Sequence, residues 1–256
     1  MTHSSLLTTD SPLLSVYFCA GHPTLDSTLP ILQALQDEGI DLVEIGIPFS
    51  DPMADGPVIQ DAATKALRNG MSLATLFHQL RNVRQHIHIP LFMMGYLNVI
   101  YHFGFERFCR QCRECGINGA IIPDLPLDLY LRDYKPIADS YGISIVMLIT
   151  PETSEERIRL IDRNTDAFIY QVSTDATTGA QDSFSPATVS YFQRISAMQL
   201  RNPTLVGFGI SNQATFSAAC QHSAGAIVGS AFVRLLDQTT PVDAVRKLKT
   251  ALGIAR

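Results

Sequence analysis

The chain has 256 residues, 46% of them hydrophobic and 17% charged, with a formal net charge of −5. With no run of Lys or Arg, that balance argues against nucleic acid or an anionic membrane surface as a partner. No apolar run approaches the roughly 18 residues of a membrane span, and the polar start Met1–Asp10 lacks the charged-then-apolar order of a signal peptide.

In chain order the predicted elements are strand Leu13–Cys19, helix Leu25–Glu38, strand Leu42–Gly46, helices Gly56–Asn69 and Ser72–Gln85, strand Leu91–Met94, helix Phe105–Glu114, strand Ala120–Ile122 and helix Leu127–Tyr141. Strand Ser144–Leu148, helix Ser154–Arg163, strand Ala167–Val172, helix Ser185–Met198, strand Thr204–Phe208, helix Gln213–His222, strand Ala226–Val228 and helices Ser230–Asp237 and Val242–Leu252 follow. The strand runs are almost continuously apolar, the pattern of a parallel sheet buried on both faces. Gly39, Gly70, Gly116 and Gly142 stand just past helical patterns, where a left-handed C-cap is needed. Eight strand–helix units in about 250 residues favour a closed ring over an open sheet. The expectation is an α/β protein, one (β/α)8 TIM barrel over residues 1–256, with residues 1–12 a short polar N-terminal segment.

A barrel of this kind carries its chemistry just after the strands, at their C-terminal ends. Glu44 lies within the second strand between apolar neighbours. Burial would raise its pKa and suit it to give and retake a proton near neutral pH; the bland alternative is a glutamate satisfied by backbone donors or an ion pair. Asp51 and Asp55 lie in the loop that follows, stiffened by Pro48, Pro52 and Pro57. Asp55 reads equally as the cap of the next helix and as a catalyst.

Phosphate binding is the second signal. Gly207-Phe208-Gly209-Ile210-Ser211 ends the seventh strand, and Ala226-Ile227-Val228-Gly229-Ser230 ends the eighth and opens a helix. Glycines let backbone N–H groups approach an anion, and barrels frequently hold phosphate at these two loops. Thr178-Gly179, after the sixth strand, supplies a candidate third side.

Other features read as bland. The five cysteines are sparse and read as reduced thiols of a cytoplasmic protein. Cys109, Cys112 and Cys115 lie on a predicted helix with no fourth ligand in register, so a buried helix face or partly exposed thiols are expected rather than a metal cluster. His86 and His88 precede the third strand, at the wrong end for chemistry. The lysines, Lys65, Lys135, Lys247 and Lys249, end no strand, which argues against Schiff-base chemistry.

The run from Glu44 to Pro57, Glu44-Ile45-Gly46-Ile47-Pro48-Phe49-Ser50-Asp51-Pro52-Met53-Ala54-Asp55-Gly56-Pro57, resembles the signature of the tryptophan synthase alpha chains. Met94-Gly95-Tyr96-Leu97-Asn98, Ile122-Pro123-Asp124-Leu125-Pro126 and Gly207-Phe208-Gly209-Ile210-Ser211 are similar to that family too, and the similarity runs from about Val16 to Arg256. The resemblance implies a lyase that cleaves indole-3-glycerol phosphate to indole and glyceraldehyde 3-phosphate. By family position Glu44 protonates carbon-3 of the indole and takes the glycerol hydroxyl proton, while Asp55 stabilises the indole N–H. Ile59, Tyr96, Ile121 and Phe208 would line the indole pocket, with Tyr170 beside the substrate. Gly179, Gly209, Gly229 and Ser230 would receive the phosphate, beside the Thr178 already placed at the third side of that cup. The resemblance also implies a beta-subunit partner in an αββα tetramer, met by Asp51 and Pro52. The alpha chain would need no cofactor, pyridoxal phosphate belonging to the beta subunit.

Three departures stand out. The loop Ser173-Thr174-Asp175-Ala176-Thr177-Thr178-Gly179 has Thr174 and Ala176 where the family commonly has an arginine-type residue and glycine. His22 occupies a usual Asp position. The segment before the first strand is too short for the usual first helix. A lid spanning residues 173–184 that closes poorly would leave a second reading: a weak catalyst kept as an allosteric activator of the beta subunit.

Overall fold

The computed structural model describes residues 11–173 and 183–254. Its strands are β1 (Leu13–Cys19), β2 (Leu42–Gly46), β3 (Leu91–Met94), β4 (Gly119–Ile121), β5 (Ser144–Val146), β6 (Leu148–Ile149), β7 (Ile169–Val172), β8 (Thr204–Gly207) and β9 (Gly225–Val228). They form one sheet in the order β5-β4-β3-β2-β1-β9-β8-β7-β6, and every pairing is parallel.

The expected single strand Ser144–Leu148 is instead β5 and β6, broken at Met147. Its first part pairs with β4 and its second with β7, and the Met147 carbonyl accepts from the Tyr170 amide at 3.0 Å. A closed barrel requires its strands to be staggered, so one segment serves its two neighbours at different heights. That break is where the ring closes.

Side chains alternate across each strand. Leu13, Leu42, Phe92, Ile121, Val146, Phe168, Leu205 and Ile227 fill the interior, where the Phe92 and Phe168 rings meet edge-on at 5.3 Å. The alternate set, including Val16, Phe18, Val43, Ile45 and Met93, packs outward against the helices.

The helices depart from expectation in several places: Leu25–Glu38 is a 3-10 turn Leu25–Ser27 followed by helix Thr28–Asp37, and Ser72–Gln85 is helix Leu73–Leu80 followed by a 3-10 turn Val83–Gln85. Helix Leu97–Phe103 was not foreseen; its first amide, that of Leu97, donates to Asp124 Oδ1 at 2.7 Å from the loop after β4. That cap lies far away in sequence, so no local signal announces the helix. The expected helix Leu127–Tyr141 contains a wider turn at Tyr130–Tyr134. Pro136 follows it and has no N–H to continue the regular ladder. Cys109 and Cys112 on helix Phe105–Glu114, and Cys115 at its C-cap, are buried free thiols, the first of the two arrangements expected of them. Among the described residues no cluster suited to a metal is found, and no helix is long and apolar enough to cross a membrane.

Candidate active site

Because Val43 and Ile45 face the helices, Glu44 between them must face the barrel interior. It is fully buried. Ser15, on the adjacent β1, donates its hydroxyl to Glu44 Oε1 at 2.9 Å. The other oxygen, Oε2, is buried without a hydrogen-bond partner among the described residues. Burial pushes the Glu44 carboxyl up to about 8, with the Ser15 bond opposing in part. Near neutral pH it is therefore a carboxylic acid with one end unpaired, which discards the ion-pair alternative.

The Asp55 side chain does not cap the helix that follows. The N-cap of helix Pro57–Arg68 is Gly56, and no side chain caps that end. The Asp55 carboxylate instead turns to Tyr96, whose hydroxyl donates to Oδ2 at 3.0 Å. The same hydroxyl accepts from the Ala54 amide at 2.9 Å. Burial raises the Asp55 pKa, and the Tyr96 donor lowers it. Gln60 holds the loop from below, donating to the Asp55 carbonyl at 2.8 Å.

One pocket at the C-terminal mouth brings together Glu44, Asp55, Ile59, Tyr170 and Phe208 with the glycine turns Gly209 and Gly229–Ser230. Tyr96 reaches this pocket through Asp55 rather than by lining it, and stacks on Phe49 at 5.4 Å between ring centroids. Ile121 is fully buried in the interior layer and is not part of the pocket wall. Thr178 and Gly179, and most of the 173–184 loop with its Thr174 and Ala176, lie outside the described residues, as does the N-terminal segment through residue 10.

Two glycines make room for the wall. A Cβ on Gly46 would collide with the Tyr17 ring, and one on Gly207 with the Tyr170 ring. The backbone at Phe208 and Gly209 has φ of 71° and 74° in succession. For Phe208 that left-handed conformation costs energy, and such strain gathers at functional turns. The Ser173 hydroxyl steadies it, donating to the Phe208 carbonyl at 2.7 Å. In the other turn, Ser230 Oγ is buried with no partner among the described residues.

The pocket also contains residues that sequence reasoning missed: Tyr17, Met94, Ile227 and Arg234. Tyr17 was reachable, since it shares a face with Leu13 and Ser15 at period two. Arg234 was reachable too, four residues beyond Ser230 on a helix. Asp51 is exposed on the rim and accepts from Ser50 Oγ at 2.5 Å; Pro52 is half-exposed, and Met53 beside it is 90% exposed. His22 lies off the pocket and is fully buried. Its Nε2 is 3.4 Å from Asp237 Oδ1, and burial lowers its pKa.

The fold and site define a parallel β/α barrel with one buried and one partly buried carboxyl in one mouth pocket, together with glycine turns. The family model for the tryptophan synthase alpha chain matches residues 4–253, starting earlier in the chain than the motifs alone suggested. The alpha chain of Bacteroides thetaiotaomicron is 62% identical over 241 residues, 94% of each chain. The crystal structure of tryptophan synthase subunit alpha from Legionella pneumophila superposes with a TM-score of 0.87 at 29% identity, covering 98% of this chain and 97% of that one. A chain of the tryptophan synthase complex from Pyrococcus furiosus gives 0.82 at 34% identity, covering 94% and 96%. The chain belongs to the tryptophan synthase alpha chain family.

Proposed function

We propose that Glu44 and Asp55 divide the acid–base work of cleaving indole-3-glycerol phosphate to indole and glyceraldehyde 3-phosphate. The chain is the lyase subunit for that reaction, and its partner is the beta subunit. Glu44, neutral before the reaction, protonates carbon-3 of the indole. The ring nitrogen then carries positive charge, and its N–H donates to the Asp55 carboxylate, held in place by Tyr96. The Glu44 carboxylate so formed takes the proton of the glycerol hydroxyl. The bond from indole carbon-3 to that carbon breaks, its electrons return to the ring, and an aldehyde leaves. Two carboxyls in unlike surroundings are what such a sequence of steps requires. The unpaired, buried Oε2 of Glu44 carries this reading, because it is the oxygen free to reach the substrate.

Ile59, Phe208 and Tyr170 wall the apolar side, and Ile121 lies beneath them. The N–H groups at Gly209 and Gly229, with the Ser230 hydroxyl, would receive the phosphate, joined by Thr178 and Gly179. Asp51 and Pro52 would meet the beta subunit at the rim. Proton transfers suffice for this chemistry, so no cofactor is required in this chain, and we place the protein in the cytoplasm. Steady-state cleavage with and without a beta subunit tests the reading. Turnover that the beta subunit accelerates is expected. Near-zero turnover in both cases, with intact stimulation of the beta reaction, would show the chain to be an activator instead.

A further inference from the structure

Helix Ser230–Leu236 begins at the second glycine turn, and Arg234 follows Ser230 by four residues, on the same face of that helix. Arg234 lines the mouth pocket together with Ser230, Gly209 and Ser211. Among the described residues it is the one cationic side chain that does so; the acidic groups there are the carboxyls of Glu44 and Asp55. No described residue accepts a hydrogen bond or forms an ion pair with its guanidinium, which is exposed to solvent. Both glycine turns offer neutral N–H donors. Neither offers a countercharge to a phosphate dianion, and the chain's net charge of −5 supplies no attracting field.

We propose that Arg234 is the residue that selects for the phosphorylated substrate, pairing its guanidinium with the outer phosphate oxygens while the glycine turns hold the inner ones. This rests on the reading of the two turns as a phosphate cup. A planar guanidinium is suited to two oxygens at once, in contacts stronger than neutral ones. The contact lies at the far end of the substrate from the bond that breaks. It therefore binds ground state and transition state alike, and should act on KM rather than on kcat.

The test uses the full chain with its beta subunit, indole-3-glycerol phosphate and the unphosphorylated indole-3-glycerol. Arg234→Gln should raise KM for the phosphorylated substrate about three- to tenfold, as expected for a charged contact near the surface. It should leave kcat unchanged and weaken the dependence of KM on salt. Arg234→Lys should recover most of the loss, and Arg234→Glu should deepen it. KM for indole-3-glycerol should be the same in all four proteins. An unchanged KM in Arg234→Gln, or an equal rise for both substrates, overturns the proposal. If the parent protein already treats both substrates alike, the phosphate cup itself is wrong. If the parent prefers the phosphorylated one and Arg234→Gln keeps that preference in full, the cup stands and Arg234 is excluded from it.

Discussion

The Tyr96 hydroxyl donates to Asp55 Oδ2 at 3.0 Å and accepts from the Ala54 amide at 2.9 Å, so one phenol fixes both the carboxylate and the loop that carries it. Removing it in Tyr96→Phe takes away the bond that lowers the Asp55 pKa and leaves burial to raise it further. The acidic limb of the kcat/KM profile should then move to higher pH. Activity at neutral pH should fall about tenfold, the scale of a hydrogen bond to a charged group. An unmoved acidic limb would separate Tyr96 from Asp55 ionisation.

Glu44→Gln keeps the volume and the Ser15 contact but has no proton to give. Cleavage should fall by at least about 10²–10⁴-fold, the usual contribution of a general acid or base. Circular dichroism and association with the beta subunit should match the parent. Near-parental turnover would remove Glu44 from the mechanism.

The Glu44 carboxyl is pushed up to about 8 by burial. The reaction needs its acid form first, so kcat/KM should decline as pH rises through about 8. The same shift has a stability consequence. Between the ordinary carboxylate value and about 8 the folded state holds a proton that the unfolded state releases, so this group makes stability fall as pH rises through that window. Above it the penalty is fully present, on the order of 5 kcal/mol. Glu44→Gln should therefore be more stable than the parent at pH 9 and gain little at pH 4. Urea denaturation at the two pH values checks this, and an equal difference at both would contradict it.

Asp55→Asn should cost about 3 kcal/mol of transition-state stabilisation, because a neutral amide cannot balance the charge on the indole nitrogen. The loss should appear mainly in kcat. A variant that changes only KM would mark Asp55 as a binding group.

At Gly46 any side chain meets the Tyr17 ring. Gly46→Ala should displace that ring from the pocket wall, lower stability by about 1–3 kcal/mol and reduce cleavage. Tyr17→Ala added to Gly46→Ala should recover part of what the Gly46 change costs in stability, since it removes the clash. Chemical denaturation of the single and double variants measures that recovery.

Much of this protein was legible along the chain because it is written in local interactions. Apolar runs named the strands, glycines named the helix ends, and a carboxylate within an apolar strand pointed to Glu44. The loops of Gly209 and Gly229 followed from turn chemistry. What the chain alone left open were meetings between distant residues. Asp55 reads equally as cap and as catalyst along the chain; in the fold it makes no cap bond and accepts instead from Tyr96, 41 positions away. Helix Leu97–Phe103 owes its start to Asp124, 27 positions on. The break at Met147 arises only when the ring closes on β7. Periodicity and capping act within a few residues, so sequence carries them. Burial, the pKa it imposes on Glu44, and the reach of Arg234 into the pocket depend on which segments the barrel sets side by side, and that only the tertiary structure decides.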